Sequence, residues 1–264
     1  MKPILVKLFV LFSYLGMVLV NFLANALPIN GIATGEVSDS YPNLFAPAGF
    51  TFSIWGVIYL LLGFFVLYLF GAFGKITRDK LIERISILFI ISSIANIIWI
   101  FLWHHNFIGL SVLFMIVILI CLILIIEYIL KEKRPLTNKE YFFFKLPFSI
   151  YFGWITVALI ANITTFLVSV NWDGFGLADS LWMIIILIVG LVISGLVAIR
   201  NRDVAYTLVL IWAYFGILSK HVSESGFNLE YMGVVSVVVL CMTIFILILG
   251  FLLRKHFTLS QTRF

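Results

Sequence analysis

Charged side chains are scarce in this sequence. Lys, Arg, Asp and Glu make up 11% of its 264 residues, against about 25% in an average soluble domain. That shortage excludes a soluble globular chain, and with it a nucleic-acid binder that would need a basic face. Cysteine is nearly absent as well. Cys121 and Cys241 stand apart inside long apolar runs, which argues against a disulfide or a thiolate metal centre and for small core residues. No HExxH, GxSxG or P-loop occurs, and no GxGxxG stands between a strand and a helix. No carboxylate dyad interrupts an apolar run. A proton-coupled transporter or an intramembrane hydrolase would usually need an ionisable group at mid-membrane depth. Both classes lose support, and no catalytic or metal-binding residue is assigned.

What the chain has instead is apolar length. Hydrophobic residues reach 63%, mean hydropathy is +1.19, and 27 residues are Phe. A spanning helix needs ~20 mostly apolar residues. Residues 4–26, 47–70, 85–104, 108–130, 146–170, 181–199, 204–219 and 231–253 meet that need. They predict an all-α polytopic membrane protein with about eight transmembrane helices.

The few charges set its orientation. Of the 17 Lys and Arg residues, all but Lys220 fall on one side of this arrangement. They are Lys2 and Lys7; Lys75, Arg78, Lys80 and Arg84; Lys131, Lys133, Arg134, Lys139 and Lys145; Arg200 and Arg202; and Arg254, Lys255 and Arg263. Positive loops stay cytoplasmic, so both the N-terminus and the C-terminus are expected inside, in a multi-pass protein of a bacterial plasma membrane. The net charge of +5 is then a topology signal, with attraction to anionic lipid as a secondary effect. Ala24-Asn25-Ala26 has the A-x-A form of a signal-peptide cleavage site. The apolar run before it is long for a signal peptide, so the first span is kept. Cleavage after Ala26 is the alternative and would leave the sidedness of the rest unchanged.

Residues 41–59 carry the most information. Pro42 and Pro47 mark a loop that turns into an aromatic helix, with Tyr41, Phe45, Phe50, Phe52, Trp55 and Tyr59 in close succession. Proline suits a first helical turn, so Pro47 is expected to mark the start of the helix, with Phe50 to Tyr59 forming its first turns. At 1.5 Å per residue, Trp55 lies ~12 Å below the outer end of its span. Asn96 and Trp99 share a helix face at i, i+3, and Trp154, Ala158 and Asn162 share one at i, i+4, i+8. A deep indole needs a partner for its N–H, in a pocket or in helix packing, and membrane Asn residues also serve as interhelical glue. Both readings stay open for these residues. Trp103, Trp172 and Trp182 read as an interfacial belt, His104 and His105 as a solvated turn at the outer mouth, and Glu127 with Lys131 as an i, i+4 ion pair.

At these positions the chain resembles the translocator protein/tryptophan-rich sensory protein family (TspO/MBR). The shared pattern is a proline and aromatic lead-in to Trp-x3-Tyr (Pro47, Phe50, Phe52, Trp55, Tyr59), then Asn-x2-Trp (Asn96, Trp99), then Tyr-x2-Trp-x3-Ala-x3-Asn (Tyr151, Trp154, Ala158, Asn162). The resemblance covers roughly residues 1–172 and implies a five-helix TspO-like bundle there, with residues 173–264 as a segment of three extra helices. It also implies a pocket under the first loop for a tetrapyrrole (protoporphyrin IX or haem) or a sterol-like molecule, bound as a ligand with no cofactor required. The ligand-binding residues it implies are those of the three motifs just quoted: Pro47, Phe50, Phe52, Trp55 and Tyr59, Asn96 and Trp99, and Tyr151, Trp154, Ala158 and Asn162.

The expected function is therefore an integral membrane ligand-binding protein, a sensor, regulator or carrier for flat hydrophobic molecules. The alternatives are a permease or permease subunit for a small hydrophobic solute, and an intramembrane enzyme acting on lipid or pigment. Expected partners are the lipid bilayer, the hydrophobic ligand and a second copy of the chain as a homodimer, with no nucleic acid.

Overall fold

Long apolar runs with only short polar breaks leave the backbone one economical way to satisfy its own N–H and C=O groups in lipid, which is the helix. The computed structural model describes residues 3–74 and 78–261. Lys2, Lys75 and Arg263, which entered the charge count above, lie outside the described residues. Among the described residues there is no strand, and eight helices are long and apolar enough to cross a membrane: Ile4–Ala26, Gly49–Leu69, Asp79–His104, Ile108–Leu130, Asn138–Ser169, Asp179–Asn201, Val204–Val222 and Met232–Lys255. The chain forms two compact units, one of Met1–Ser40 with Ser53–Ile155, the other of Tyr41–Phe52 with Thr156–Phe264.

The first unit holds α1 (Pro3–Ala26), the short α2 (Thr34–Asp39), α3 (Ile54–Leu69), α4 (Asp79–His104), α5 (Ile108–Leu130), the single turn α6 (Asn138–Glu140) and the first part of α7 (Leu146–Ser169). Helix α4 is its centre and packs against α1 and α5. Phe65, Phe89 and Phe148 meet at ring-centroid distances of 5.6, 5.0 and 5.8 Å and are fully buried. Two boundaries differ from expectation. Helix α4 starts at Asp79, well before the apolar run, because Asp79 places a negative charge in the first turn, where the helix dipole favours it. Pro47 precedes the helix instead of opening it. A 3₁₀ turn at Gly49–Ser53 comes between, and α3 proper begins at Ile54.

At the basic end of this unit the chain buries an ion pair. Arg78 Nε donates to Glu140 Oε1 at 2.8 Å and its second arm to Glu140 Oε2 at 3.2 Å, and the two side chains are 5% and 4% exposed. The same guanidinium donates to the backbone carbonyls of Arg134 (2.9 Å) and Pro135 (2.7 Å). Glu140 also closes a capping box with Thr137, whose N–H it accepts at 2.8 Å. A π turn, Tyr141–Lys145, then leads into α7. Glu127 and Lys131 form the expected i, i+4 pair at 3.4 Å, and Cys121 and Cys241 are free and buried.

The second unit holds the rest of α7, α8 (Asp179–Asn201), α9 (Val204–Val222), α10 (Met232–Gln261) and the strap 41–52. Helix α10 packs on α8 and α9. Asp203 caps α9 by accepting the Tyr206 N–H at 3.1 Å. Deep tyrosines find partners: Tyr206 OH donates to Thr156 Oγ1 (3.2 Å) and Tyr214 OH to the Leu187 carbonyl (2.9 Å). The strap is held by α9 at three successive places. Trp212 Nε1 donates to the Thr51 carbonyl (3.0 Å), the Ala48 N–H donates to the Gly216 carbonyl (3.0 Å), and His221 Nε2 donates to the Leu44 carbonyl (2.9 Å). Positions 212 and 216 share a face at i, i+4, while His221 meets the strap from the last turn of the helix. The last contact explains why α9 runs to Val222, past the residue 219 expected from hydropathy: Lys220 and His221 end the apolar run but not the helix.

Candidate functional site

In the first unit the expected aromatic residues gather around one indole. The Trp55 ring stacks on Tyr59 (5.6 Å, 17°) and lies 5.9 Å from Trp99, 5.9 Å from Tyr151 and 6.1 Å from Trp154. Three helices supply these rings. Trp55 and Tyr59 share a face of α3 at i, i+4, Trp99 comes from α4, and Tyr151 and Trp154 share a face of α7 at i, i+3. Trp55 is 9% exposed and Tyr151 fully buried. Trp99 continues the stack to Trp103 at 6.0 Å.

A chain of neutral polar groups lies beside the rings. Asn21 Nδ2 donates to Asn96 Oδ1 at 2.6 Å and to the Met17 carbonyl at 2.9 Å, and Asn96 Nδ2 donates to Tyr151 OH at 3.4 Å. Asn96 is fully buried and Asn21 6% exposed, so these amides join α1, α4 and α7, which is the glue role of membrane Asn residues. The site carries π faces and amide dipoles and no charge. Its polar groups are these amides and the Tyr59 and Tyr151 hydroxyls.

The remaining expected residues, Pro47, Phe50, Phe52, Ala158 and Asn162, belong to the second unit. Phe50 is 46% exposed and packs on Trp212 (5.5 Å, 81°) and Phe215 (5.9 Å). Asn162 is buried, while Pro47, Phe52 and Ala158 are half-buried.

Two outer-mouth expectations are corrected. His104 is not solvated: it is fully buried and holds the first loop from both ring nitrogens. Its Nδ1 lies 3.1 Å from the Ile29 carbonyl, so Nδ1 donates there, and Nε2 accepts from Thr34 Oγ1 at 3.0 Å. Asn30 Nδ2 donates to the His104 carbonyl at 3.0 Å. Trp103 is likewise no belt residue, being 5% exposed and donating to the Thr34 carbonyl at 3.1 Å. Sequence alone hides this, because the polar partners of His104 sit in a loop about 70 residues earlier. Replacing His104 with Ala strands the Thr34 hydroxyl and the Ile29 carbonyl. The expected loss is about 1–3 kcal/mol, seen as a lower Tm in detergent and faster proteolysis between residues 27 and 40.

A second feature escaped the sequence reading. The second unit contains a cavity of about 250 Å³ walled by Phe45, Trp172, Trp182, Phe227 and Tyr231, with Asp179 at its edge. Trp172 and Trp182 were expected as lipid-interface anchors. They are half-buried, with ring centroids 4.9 Å apart, and both face this cavity. The walls come from the strap, the end of α7, the start of α8 and the turn before α10, far apart in sequence, so no spacing rule could have joined them.

Compared with known proteins, the chain matches one family model, described as TSPO-like protein, over residues 7–252. The match continues past residue 172, through the later helices. No curated protein and no solved structure matched.

Proposed function

Because this chain belongs to the TSPO-like protein family, we propose that it is a membrane sensor or carrier whose Trp55 cluster receives a flat hydrophobic molecule, a tetrapyrrole such as protoporphyrin IX or haem being the first class to try. It is a multi-pass integral membrane protein of the TspO type. The proposal places it in a bacterial plasma membrane with both termini cytoplasmic. The observation that carries the ligand reading is the convergence of Tyr59, Trp99, Tyr151 and Trp154 on Trp55 beside the Asn21–Asn96 amide pair. Rings at these separations already satisfy one another, so a ligand ring enters by replacing one of their contacts. Association is therefore expected to be slower than diffusion, with the open form setting the apparent affinity. The uncharged cluster recognises the ring face only, so the propionates of protoporphyrin IX or haem gain no partner from it, and neutral porphyrins and sterol-like rings should bind at least as well.

Titration of the purified protein with protoporphyrin IX should quench tryptophan emission saturably. Each aromatic contact is worth about 0.5–1.5 kcal/mol, so Trp55→Ala and Trp154→Ala should each raise Kd by roughly 2- to 12-fold. Trp172→Phe, in the second unit, should leave Kd unchanged. No saturable quenching by tetrapyrroles or by neutral flat-ring ligands would remove this reading.

A further inference from the structure

The cavity of the second unit has the chemistry of a different ligand. We propose that it binds a small organic cation with a methylated ammonium head, independently of any ligand at Trp55. A cation is attracted to the electron-rich face of an aromatic ring, and tryptophan is the strongest such partner. Trp172 and Trp182 both line the cavity, tilted at 58° with ring centroids 4.9 Å apart, and supply two indoles to one wall. Phe227 and Tyr231 form a second aromatic corner at 5.6 Å and 83°.

Trp182 is held in place. Trp182 Nε1 donates to the Gly174 carbonyl at 2.5 Å. Gly174 has φ +63°, and a Cβ there would lie 2.8 Å from Trp182 Cδ1 and Nε1. Only glycine satisfies both the backbone conformation and the close indole.

The charge pattern selects a cation over an anion. Asp179 is the one ionisable carboxylate among the described lining residues, and no Lys, Arg or His is among them. Asp179 has no hydrogen-bond partner among the described residues. It also sits near Tyr231, whose hydroxyl is raised above its ordinary pKa first by neighbouring Glu230 and then by burial and by the charges of Glu230 and Asp179. The other polar walls are already engaged. Asn43 Nδ2 donates to the Tyr41 carbonyl (2.9 Å), and Thr164 Oγ1 donates to the Ile160 carbonyl (2.9 Å). Size agrees with a small head group. The cavity of about 250 Å³ falls below the ~300–1,000 Å³ of drug-sized pockets, too small for a tetrapyrrole.

The test uses the full chain in phosphatidylglycerol nanodiscs, titrated by calorimetry with choline and with 3,3-dimethyl-1-butanol, its uncharged carbon isostere. Choline should bind saturably and about 5- to 30-fold more tightly than the isostere. Asp179→Asn and Trp172→Leu should each weaken choline by roughly 5-fold or more, while Trp55→Ala should leave it unchanged. Asp179 is exposed, so its conservative variant tests the charge without disturbing the core. Repeating the titration in phosphatidylcholine nanodiscs separates the sources: lost choline binding identifies a lipid head group as the occupant, and retained binding identifies a free solute. Equal affinity for choline and the isostere, no saturable choline binding in phosphatidylglycerol, or choline affinity unmoved in both Asp179→Asn and Trp172→Leu would each overturn the proposal. A failure at Trp55 with tetrapyrroles leaves these readouts untouched.

Discussion

Arg78→Ala is expected to destabilise the protein by about 3 kcal/mol, the low end of the usual cost of breaking a buried ion pair, because Arg134 still reaches Glu140 at 3.5 Å. Arg78 reaches Glu140 through two arms and also donates to the Arg134 and Pro135 carbonyls. One side chain thus joins the lead-in to α4 with the turn before α7, 62 residues later. Glu140→Ala should cost a similar amount, because Glu140 also caps its own turn through Thr137. Arg78→Lys should fall between, since an ammonium keeps the charge but cannot form the fork. The informative variant is Arg78→Met with Glu140→Leu. If the single losses come from stranded charge, the double variant should be more stable than either single variant. Thermal unfolding in detergent measures all four, and a double variant worse than both singles would show that the pair stabilises in its own right.

Gly216→Ala should destabilise even though alanine is the better helix former by about 0.8–1.0 kcal/mol. Gly216 lies inside α9, where the strap crosses it. A Cβ would fall 2.6 Å from Thr51 Cγ2, 2.9 Å from Thr51 Cβ and closer still to Thr51 Oγ1. Thr51 is fully buried and has nowhere to move, because its own carbonyl accepts from Trp212 and the Gly216 carbonyl accepts from Ala48. Overpacking of this kind costs about 1–3 kcal/mol, enough to outweigh the propensity gain. Proteolysis should then increase within residues 41–52, and Trp212 emission should shift as its hydrogen bond is lost. Pairing Gly216→Ala with Thr51→Gly removes the clash and should restore most of the stability. A stabilised single variant would contradict the close crossing.

These two sites mark the limit of what the sequence made visible. The spans were legible because lipid imposes one rule on every residue in them, that of apolar length. The Trp55 cluster was legible in part: i, i+3 spacing put Asn96 with Trp99 on one face, and Tyr151 came only with the family motif, while the spacing that tied Trp154 to Ala158 and Asn162 leads into the second unit. Arg78 looked like one more loop cation, since a topology rule counts its charge and cannot see that Glu140 takes it out of water. His221 drew no attention, because its partner is a backbone carbonyl that carries no sequence signature. Trp172 and Trp182 fit the interfacial pattern equally well whether they face lipid or a cavity, and only the left-handed turn at Gly174 decides between the two.

The strap also constrains the order in which the protein can be completed. Thr51 waits for an indole 161 residues downstream, and the Leu44 carbonyl for an imidazole 177 residues downstream. At roughly 5–20 residues per second on the ribosome, that delay is on the order of 8–35 s. Throughout it, residues 41–52 are already synthesised while α9 is not, so their backbone groups must be met by water or by a transient partner. The segment that most resembles a finished binding motif in the sequence is therefore among the last to reach its native contacts as the protein is born.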